Sequence, residues 1–499
     1  MNLAAIGRYW RRCQPEAVAL RFDARTFTWL DLDRRTDEMA AGLAARGLAR
    51  GDRLGLLLGN RPEFVELTIA AWKLGAVVVP MNVRFTPTEV AFVVGDADCR
   101  IVVTEEALAA GVALVRDRQP VLDAGDLDAV RHVGMSVDIA ATADADPACI
   151  CYTSGTTGDP KGAVLTHGSW NVASQGWAQA VQLSTADRVL LPFPLAFTGG
   201  MAVFLFTYWA GGRLVLEPGF DPDRALGLFE RERITGFFAV PVIHQTLVDH
   251  PRWATADLSS WRVASSGGAP VPESLIRAVQ DRGVPMLQGY SLTEGSAGVT
   301  VLPAHDALRK LGSAGLPVVH AEVRVVDRDD RPLAPGEVGE IVVRGPQVMQ
   351  GYWGNPAATA ETLRGGWLHT GDLGRLDDEG YLYVVDRAKD MLISGGLNVY
   401  PAEIERVLAG VPGVVEVAVV GVPDERWGET PVVVAYTAGA QLDGATVLDA
   451  CRAVLADYKW PRYLVVRNEP LPRNMSGKVL KRDLRDLYAA RGDDVRAIR

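Results

Sequence analysis

Short apolar runs of the kind that form buried strands recur through the first half of the chain, and longer stretches with helical spacing separate them. One such stretch is Pro62–Trp72, which is amphipathic at helical spacing. The strand-like runs are Arg53–Leu58, Val77–Pro80, Arg100–Thr104, Arg188–Leu191, Arg213–Leu216, Gly236–Val240 and Arg262–Ser265. Because strands joined by helices pair in parallel, the pattern predicts an α/β fold with a large N-terminal domain of parallel sheets covered by helices.

The pattern changes near residue 320, where strands become shorter and turns of Gly, Pro and Asp separate them. These strands are predicted at Ala321–Asp327, Gly339–Gly345 and Gly380–Asp386. A second change follows Arg387: residues 388–499 contain 15 basic and 15 acidic residues, so residues 1–387 carry the whole formal charge of −10. We therefore expect a β-rich subdomain within an N-terminal domain of residues 1–387, followed by a small C-terminal α+β domain of residues 388–499.

The charge balance and apolar runs exclude several classes of protein. The chain has 51 Lys and Arg against 61 Asp and Glu in 499 residues. This net negative charge argues against a protein that binds nucleic acid or an anionic membrane surface. The first 15 residues carry charge where a signal peptide needs an apolar stretch, and the run Met201–Ala210 is too short to span a membrane. The five cysteines show no zinc or redox spacing. These features predict a cytoplasmic protein with no membrane span and no nucleic-acid partner.

A loop rich in hydrogen-bond donors follows the apolar run Ala148–Cys151. Its sequence is Tyr152-Thr-Ser-Gly-Thr-Thr-Gly-Asp-Pro-Lys-Gly162. Glycines let the backbone curve tightly with N–H groups facing an anion, and four hydroxyls and Lys161 add further donors. The Gly-Lys-Ser/Thr ending of the common nucleotide-triphosphatase loop does not occur here. A polyphosphate site is favoured over the alternative, a flexible surface turn.

This loop resembles the phosphate loop of the adenylate-forming superfamily, which comprises acyl-CoA synthetases, adenylation domains of peptide synthetases and luciferases. Four further stretches resemble motifs of that superfamily in the same order: Gly289–Glu294, Trp367–Asp372, Asp386–Gly396 and Pro472–Lys478. The resemblance spans nearly the whole chain and is strongest to CoA ligases of fatty or other carboxylic acids. It implies an AMP-forming acid–CoA ligase that uses ATP, Mg²⁺ and coenzyme A, with the small domain as a mobile cap.

The resemblance also implies where ATP binds. Residues of the loop would hold the β- and γ-phosphates: Thr153, Ser154, Gly155, Thr156, Thr157, Gly158 and Lys161. Thr293 would contact the phosphates, Glu294 would bind Mg²⁺, and Tyr290 would stack on adenine. The neighbouring nucleotide-binding positions are Gly268, Ala269, Gly289 and Ser291. Taken without the other motifs, Thr293 and Glu294 would be assigned to the start of a helix.

Three residues further along the chain match the superfamily's ribose and catalytic positions. Asp372 resembles the aspartate that accepts hydrogen bonds from both ribose hydroxyls, and Arg387 would assist at the ribose and phosphate. Lys478 matches the lysine that bridges the carboxylate and the α-phosphate in the first half-reaction. From spacing alone, Asp372 fits a Gly-Asp turn equally well, and Lys478 fits a solvated lysine.

Motif matching makes Lys389 the pivot about which the cap swings between an adenylating and a thioester-forming pose. Gly395 and Gly396 would face the active site in the second pose, where a pantetheine arm passes close to the backbone. These assignments place the boundary of the cap directly after Arg387.

The acid is expected between four segments, 194–200, 237–245, 266–269 and 289–299. The pocket residues predicted there are Phe197, Thr198, Phe238, Val240, His244, Gly268 and Gly298. Amino-acid-activating relatives carry an Asp for the substrate ammonium where this chain has Thr198, and no Arg or Lys occurs in the four segments to pair a second carboxylate. The pocket therefore favours a monocarboxylic acid with an apolar body, of undetermined length and ring content. His244 is either a structural histidine, the commoner case, or a substrate ligand.

The function expected is an ATP-dependent acyl-CoA synthetase that forms an acyl-adenylate and then a CoA thioester. One alternative is a free-standing enzyme that loads the pantetheine of a separate carrier protein. Another is a non-catalytic adenylate-binding protein, which the joint presence of Lys161, Thr293, Glu294 and Lys478 disfavours. A homodimer is compatible with the sequence.

Overall fold

The computed structural model describes residues 1–153, 160–269, 271–394, 397–473, 479–490, 492 and 494–499. They form two compact units: the first comprises Met1–Val323 and Val342–His369, and the second comprises Arg324–Ile341 and Thr370–Arg499. This division reflects how densely the residues of each unit pack together and says nothing about motion. The predicted boundary of a mobile domain after Arg387 therefore stays a prediction.

The helices begin and end where local chemistry favours it. The side chain of Thr28 accepts a hydrogen bond from the backbone N–H of Asp31, whose side chain accepts from the backbone of Thr28, and this capping box starts the second helix. Gly75, at φ 73°, ends the helix that Pro62 begins. The helices are α1 (Ala4–Cys13), α2 (Trp29–Ala45), α3 (Pro62–Leu74), α4 (Pro87–Asp96), α5 (Leu127–Val130), α6 (His167–Ala180), α7 (Thr198–Ala210), α8 (Pro222–Glu232), α9 (Pro241–Val248), α10 (Glu273–Gln280), α11 (Pro356–Thr362), α12 (Pro401–Leu408), α13 (Gly444–Val454) and α14 (Lys481–Tyr488).

A nine-stranded sheet lies in the first unit. Its strands are β1 (Val18–Phe22), β2 (Arg25–Thr28), β9 (Arg188–Leu191), β10 (Arg213–Leu216), β11 (Gly236–Ala239), β12 (Val263–Gly267), β13 (Met286–Tyr290), β14 (Thr300–Leu302) and β15 (Leu316–Pro317). Their order is β15-β14-β13-β12-β11-β9-β10-β1-β2. The pairs from β13 to β1 are parallel, and the outer pairs are antiparallel. The carboxyl ends of β12 and β13 consequently meet at one edge, where α/β sheets bind ligands.

The other sheet of the first unit has seven strands. They are β3 (Arg53–Leu57), β4 (Val77–Pro80), β5 (Cys99–Thr104), β6 (Val121–Asp123), β7 (Pro147–Thr153), β8 (Lys161–Thr166) and β18 (Gly351–Tyr352). Their order is β18-β8-β7-β4-β3-β5-β6, with parallel pairing from β7 to β6 and antiparallel pairing of β7, β8 and β18.

The remaining strands form two smaller sheets. One has the order β16-β17-β19-β20, formed by β16 (Glu322–Val326), β17 (Gly339–Arg344), β19 (Leu368–Leu376) and β20 (Leu382–Arg387). The other has the order β22-β21-β24-β25-β26 with β23 paired to β24, formed by β21 (Leu392–Ser394), β22 (Leu397–Val399), β23 (Glu416–Asp424), β24 (Gly428–Tyr436), β25 (Tyr463–Arg467) and β26 (Arg496–Ala497). The predicted α/β class and the parallel sheets are confirmed. The expectation of shorter strands after residue 320 is wrong: β16, β17, β19 and β20 are five to nine residues long, whereas β9, β10 and β11 have four residues each.

The two faces of the nine-stranded sheet pack against different helices. On β11, Phe237 joins a core cluster with residues of α8, α9 and α10. Phe238, whose side chain points to the opposite face, contacts Trp177 of α6. In the described part of the chain, no helix is both long enough and apolar enough to cross a bilayer.

Candidate active site

The ends of β7 and β8 flank the predicted phosphate loop. Thr153 lies opposite Lys161 in this antiparallel pair, and the Thr153 hydroxyl donates to the Lys161 carbonyl at 3.4 Å. The loop residues Ser154, Gly155, Thr156, Thr157 and Gly158 lie outside the described residues. The pairing of β7 with β8 therefore fixes the position of the Lys161 backbone at the start of β8.

Tyr352 connects the lysine of this loop to the predicted metal ligand. The Nζ of Lys161 lies 5.3 Å from the centre of the Tyr352 ring, within range of a cation–π contact. The Tyr352 hydroxyl donates to Oε1 of Glu294 at 2.9 Å. Burial and then the charge of Glu294 raise the pKa of Tyr352, so the phenol keeps the proton that it donates. Lys161 and Glu294, 133 positions apart in sequence, are thereby brought to one aromatic side chain.

Backbone pairing explains why Tyr352 lies there. Tyr352 is paired with Ala163 in the β18–β8 ladder, and the backbone N–H of Trp353 donates to the Gly162 carbonyl at 2.7 Å. A Cβ at Gly162 would lie 2.7 Å from the Ile150 side chain, so the strand needs glycine at this position. The resemblance did not identify Tyr352, because its position depends on the pairing of β18 with β8 and not on a local motif.

Thr293 and Glu294 lie in a short 3₁₀ turn, Thr293–Gly295, after β13. The hydroxyls of Thr293 and Thr198 are hydrogen-bonded at 2.9 Å. The backbone N–H of Met349 donates to the Glu294 carbonyl at 2.7 Å. The structure thus places a predicted pocket residue, Thr198, against a predicted phosphate ligand, Thr293.

The turn continues into strained backbone. Ser296 and Ala297 have φ of 50° and 57°, a left-handed conformation that non-glycine residues adopt at a cost of about 1–3 kcal/mol each. The indole N–H of Trp177 donates to the Ala297 carbonyl at 2.8 Å. Such consecutive strain is typical of a site that holds a functional side chain in place.

The predicted nucleotide-binding glycines lie at the carboxyl ends of adjacent strands. Gly289 on β13 is paired with Gly267 on β12, and Gly268 follows with a φ of 79°, a conformation that favours glycine. Gly268 and Ala269 are exposed, Tyr290 is half-buried and Ser291 is exposed. These positions form a rim at the carboxyl ends of β12 and β13.

The predicted pocket residues differ in burial: Phe197 and Val240 are partly exposed, whereas His244 is buried. Phe197 precedes α7 and is half-buried, and Val240 is 36% exposed. His244 is buried behind β12, where its Nε2 donates to the Ser265 carbonyl at 3.0 Å and its ring stacks on Trp261. Burial lowers the pKa of His244 to about 4. These contacts give His244 structural partners, and a role toward a substrate stays a prediction.

In the second unit, Asp372 on β19 lies opposite Arg387 on β20. Nε of Arg387 lies 3.3 Å from Oδ1 of Asp372. The backbone N–H of Asp372 donates to the Thr370 hydroxyl at 3.1 Å, and the preceding Gly371 has a φ of 69°. The two predicted ribose residues therefore form one ion pair on neighbouring strands.

The predicted pivot follows this pair. Asp386 accepts from the backbone N–H of Arg387 at 2.7 Å and from that of Ala402, in the first turn of α12, at 2.9 Å. Lys389 is exposed, and its carbonyl accepts from Arg485 at 3.4 Å. Gly395, Gly396 and Lys478 lie outside the described residues.

The second unit also carries a cationic cluster around Trp427 that motif matching did not identify. The guanidinium carbons of Arg426 and Arg462 lie 4.7 Å and 4.4 Å from the centre of the Trp427 ring. Arginine forms bidentate hydrogen bonds with phosphate, so the cluster suits an anion. The adjacent Arg426 and Trp427 were visible in the sequence, whereas Arg462 is brought to them only by the pairing of β24 with β25.

Comparison with known protein families gives two matches. Residues 8–353 match the AMP-binding enzyme family, and residues 403–478 match the AMP-binding enzyme C-terminal domain. The first match covers more than half of the chain.

Characterised relatives match over nearly the whole length. A feruloyl-CoA synthase of Amycolatopsis sp is 42% identical over 95% of this chain and 96% of its own. A long-chain-fatty-acid–CoA ligase of Mycobacterium tuberculosis is 39% identical over 93% of both chains.

A solved structure extends this likeness to the fold. The o-succinylbenzoate CoA synthetase of Bacillus subtilis in complex with its acyl-adenylate intermediate is 32% identical, with a TM-score of 0.89 over 96% of this chain and 98% of that one. The family matches, the relatives and the shared fold together show that the chain belongs to the AMP-binding enzyme family, as an acyl-CoA synthetase of the adenylate-forming superfamily.

Proposed function

We propose that this acyl-CoA synthetase activates an apolar monocarboxylic acid with ATP and transfers the acyl group to coenzyme A. The observation that carries the proposal is the series of contacts from Lys161 through Tyr352 to Glu294. It sets a cation suited to phosphate beside a carboxylate suited to a metal ion.

The two steps follow from the chemistry of a carboxylate. A carboxylate is a poor electrophile because its negative charge repels nucleophiles and it has no good leaving group. In the first step its oxygen attacks the α-phosphate of ATP and pyrophosphate leaves. In the second step the sulfur of coenzyme A attacks the acyl carbon and AMP leaves. Both steps concentrate negative charge, which the site must offset with cations and oriented donors.

The residues around Glu294 fit Mg²⁺. Mg²⁺ binds through one or two carboxylates together with phosphate oxygens and water, not through a cage of side chains. Among the described residues no group of three or more His, Cys, Asp or Glu is placed to hold a metal ion, whereas Glu294 lies beside the phosphate-loop lysine. Bound there, the ion would neutralise charge on the phosphates. Tyr352 would hold the Glu294 carboxylate in place.

The remaining nucleotide contacts are assigned by motif. In the first unit, Lys161 and Thr293 would donate to phosphates, and Tyr290 would stack on adenine. In the second unit, Asp372 would bind the ribose hydroxyls, supported by its ion pair with Arg387. Arg387 would assist at the ribose and phosphate, where the ligand must compete with this ion pair.

Lys478 would bridge the carboxylate and α-phosphate in the first step. Lys389 would be the pivot of a mobile cap of residues 388–499, and Gly395 and Gly396 would admit the pantetheine arm. These roles rest on the resemblance of the motifs.

The acid pocket would accept a neutral apolar body. Thr198 is hydrogen-bonded to Thr293, and the buried His244 donates to a carbonyl, so neither offers a charge to an ammonium or a second carboxylate. An unpaired charge buried there would cost several kcal/mol. Two relatives are named for acids with a large apolar body, feruloyl and long-chain fatty acyl groups, whereas others are named for 2-succinylbenzoate, which carries a second carboxylate.

Coenzyme A carries an anionic nucleotide, for which the cluster of Arg426, Trp427 and Arg462 offers charge and an aromatic surface. The surface would bind the nucleotide end of coenzyme A. Transfer to a carrier-protein pantetheine, a homodimer and a cytoplasmic location stay predictions.

The test is a panel of carboxylic acids assayed for pyrophosphate release with and without coenzyme A, with mass spectrometry of the products. We expect acyl-CoA from apolar monocarboxylic acids. Acyl-adenylate that discharges only onto a carrier protein would favour the carrier-loading alternative. If none of the acids in the panel causes pyrophosphate release, the proposal is contradicted.

Matched pairs of acids test the pocket chemistry. We expect 3-phenylpropanoate to exceed phenylalanine, and a monocarboxylic acid to exceed the dicarboxylic acid of the same length, by at least about 100-fold in kcat/KM, since each disfavoured partner buries an unpaired charge. If the α-amino acid is the better substrate, the assignment of Thr198 to the pocket is wrong.

A further inference from the structure

Trp177 of α6 lies where two of the predicted pocket segments, 237–245 and 289–299, meet. Its ring centre is 6.5 Å from that of Phe238, edge to face, and its indole N–H donates to Ala297. Its ring also stacks on Phe206 of α7, with centroids 5.6 Å apart and an interplanar angle of 13°. The residue is 7% exposed and belongs to none of the predicted pocket segments.

The ring fills the space that the pocket glycines would otherwise leave. A Cβ built on Gly289 would lie 2.7 Å from the Trp177 ring, closer than atoms approach in folded proteins. A Cβ built on Gly298 would lie 3.2 Å from Cβ of Ala173 and 3.5 Å from the Trp177 ring. Ala173 and Trp177 are one helical turn apart, so one face of α6 closes against both glycines. The glycines therefore accommodate α6 instead of opening depth for an acid.

We infer that Trp177 forms the blind end of the acyl pocket and limits it to compact acids, such as a single aromatic ring on a short linker or a short aliphatic chain. The inference rests on the proposed function, because it needs the acid to lie among the segments assigned above. Phe206 stacks behind the indole, and the hydrogen bond to Ala297 fixes its orientation, so the ring cannot turn aside to admit a longer chain without losing both contacts. Because the Trp177 ring is held by stacking and by a hydrogen bond, it should set a sharp upper limit on the chain length of the acid.

The experiment compares kcat/KM across straight-chain acids of four to sixteen carbons and across benzoate, phenylacetate and 3-phenylpropanoate. The variants are Trp177→Ala, which removes the ring, and Trp177→Phe, which keeps a smaller ring and removes the N–H. The control is Trp170→Ala on the same helix, at a buried side chain that lies outside these contacts. Circular dichroism and thermal melting establish that each variant is folded.

For the wild type we expect kcat/KM to fall steeply beyond a short chain. Trp177→Ala should raise the ratio of long-chain to short-chain kcat/KM by about tenfold or more, the scale of gaining one or two methylenes of pocket contact. Trp170→Ala should leave that ratio at the wild-type value even if overall activity falls. If Trp177→Ala does not fold, the smaller shift of Trp177→Phe toward slightly longer acids decides the question.

Two results would overturn the inference. One is a wild type that prefers long chains to compact acids, and the other is a Trp177 variant that lowers kcat/KM for all acids equally. Failure of the proposed function looks different: the wild type would form no acyl-CoA from any acid in the panel, whatever its length.

Discussion

The two units hold their predicted functional charges in different ways. In the first unit, Lys161 and Glu294 both contact the uncharged side chain of Tyr352. In the second unit, the two predicted ribose residues pair with each other, with Arg387 3.3 Å from Asp372, and a further ion pair outside the predicted site joins Lys481 of α14 to Glu405 of α12 at 2.8 Å.

The difference indicates how each unit meets its ligand. A cation and a carboxylate held by a neutral ring and hydroxyl keep their charge for phosphate and metal, and these contacts with Tyr352 contain no ion pair that binding would have to break. A ligand that binds at Asp372 or Arg387 must instead compete with an existing ion pair, which would make its contacts easier to exchange in the proposed change of pose. We therefore expect substitutions in the first unit to alter binding of ATP and metal. Substitutions in the second unit should distinguish the two half-reactions.

The largest effect is expected at Lys478. Lys478→Ala should lower acyl-adenylate formation by roughly 10²–10³-fold, the scale of losing one transition-state donor. Thioester formation from supplied acyl-adenylate should change far less, because the proposed swing of the cap would have moved Lys478 away by then. Single-turnover assays of each half-reaction measure this. An equal loss in both steps would assign Lys478 to folding or to one shared pose. Arg496→Ala, a basic residue near the end of the same unit, is the control.

The second effect concerns the pivot. Proline fixes φ near about −65°, so Lys389→Pro should hold the cap in the pose that tolerates this angle, which we expect to be the adenylating one. Pyrophosphate release in a single turnover should stay near normal while acyl-adenylate accumulates and coenzyme A fails to discharge it. Lys389→Ala, which keeps φ free, is the control and should discharge normally.

Two other outcomes for Lys389→Pro are informative. Loss of both half-reactions in a variant that remains folded by circular dichroism would contradict a hinge role. Retention of both at the wild-type rate would remove the hinge from Lys389, and with it the predicted domain boundary after Arg387.

The strands and the motif residues could be predicted because they depend on local sequence. The apolar run Val77–Pro80 and the run around Gly236 each became a strand because burial on both faces requires continuous apolar residues. Glu294 was identified because its motif is contiguous.

Tyr352 and Trp177 could not be predicted in the same way. Tyr352 reaches Glu294 through the pairing of β18 with β8, and Trp177 reaches Gly289 through the packing of α6 on the sheet. The local sequence around Tyr352 and Trp177 does not indicate that these side chains contact Glu294 and Gly289. The glycines were also ambiguous, since a missing side chain leaves room for a ligand and for a neighbouring ring equally well.

A smaller effect is expected at Tyr352. Tyr352→Phe removes the hydroxyl that donates to Glu294, and a hydrogen bond to a charged group contributes about 1.5–3 kcal/mol. The Mg²⁺ concentration for half-maximal pyrophosphate release should rise about tenfold, with the KM for ATP less affected. Tyr352→Leu also removes the ring beside Lys161 and should raise that KM as well.

The control for Tyr352 is Tyr9→Phe on α1, where the side chain is exposed. It should leave the requirement for Mg²⁺ unchanged. If Tyr352→Phe lowers the maximal rate without changing the dependence on Mg²⁺, Tyr352 supports the fold and does not position Glu294.

The smallest effect on catalysis, and the sharpest contrast between the units, is expected in mild acid. All seven histidines lie in the first unit. Burial lowers the pKa of His244 and of His167 to about 4. In the unfolded chain these residues take up protons below about pH 6.5, so unfolding binds protons and acid lowers the free energy of unfolding. The stabilisation is complete above pH 6.5 and is lost as the pH falls toward 4.

Between pH 7 and pH 5 each of the two histidines should therefore remove about 2 kcal/mol from the first unit. Hydrogen–deuterium exchange, corrected for the intrinsic rate at each pH, should show protection falling in β11 and β12 while it holds in β23 and β24. His244→Gln should reduce the loss by about 2 kcal/mol, whereas His305→Gln, at an exposed side chain, should not change it. An equal loss of protection in both units would mean that groups other than the buried histidines control the acid response, and that the two units unfold together.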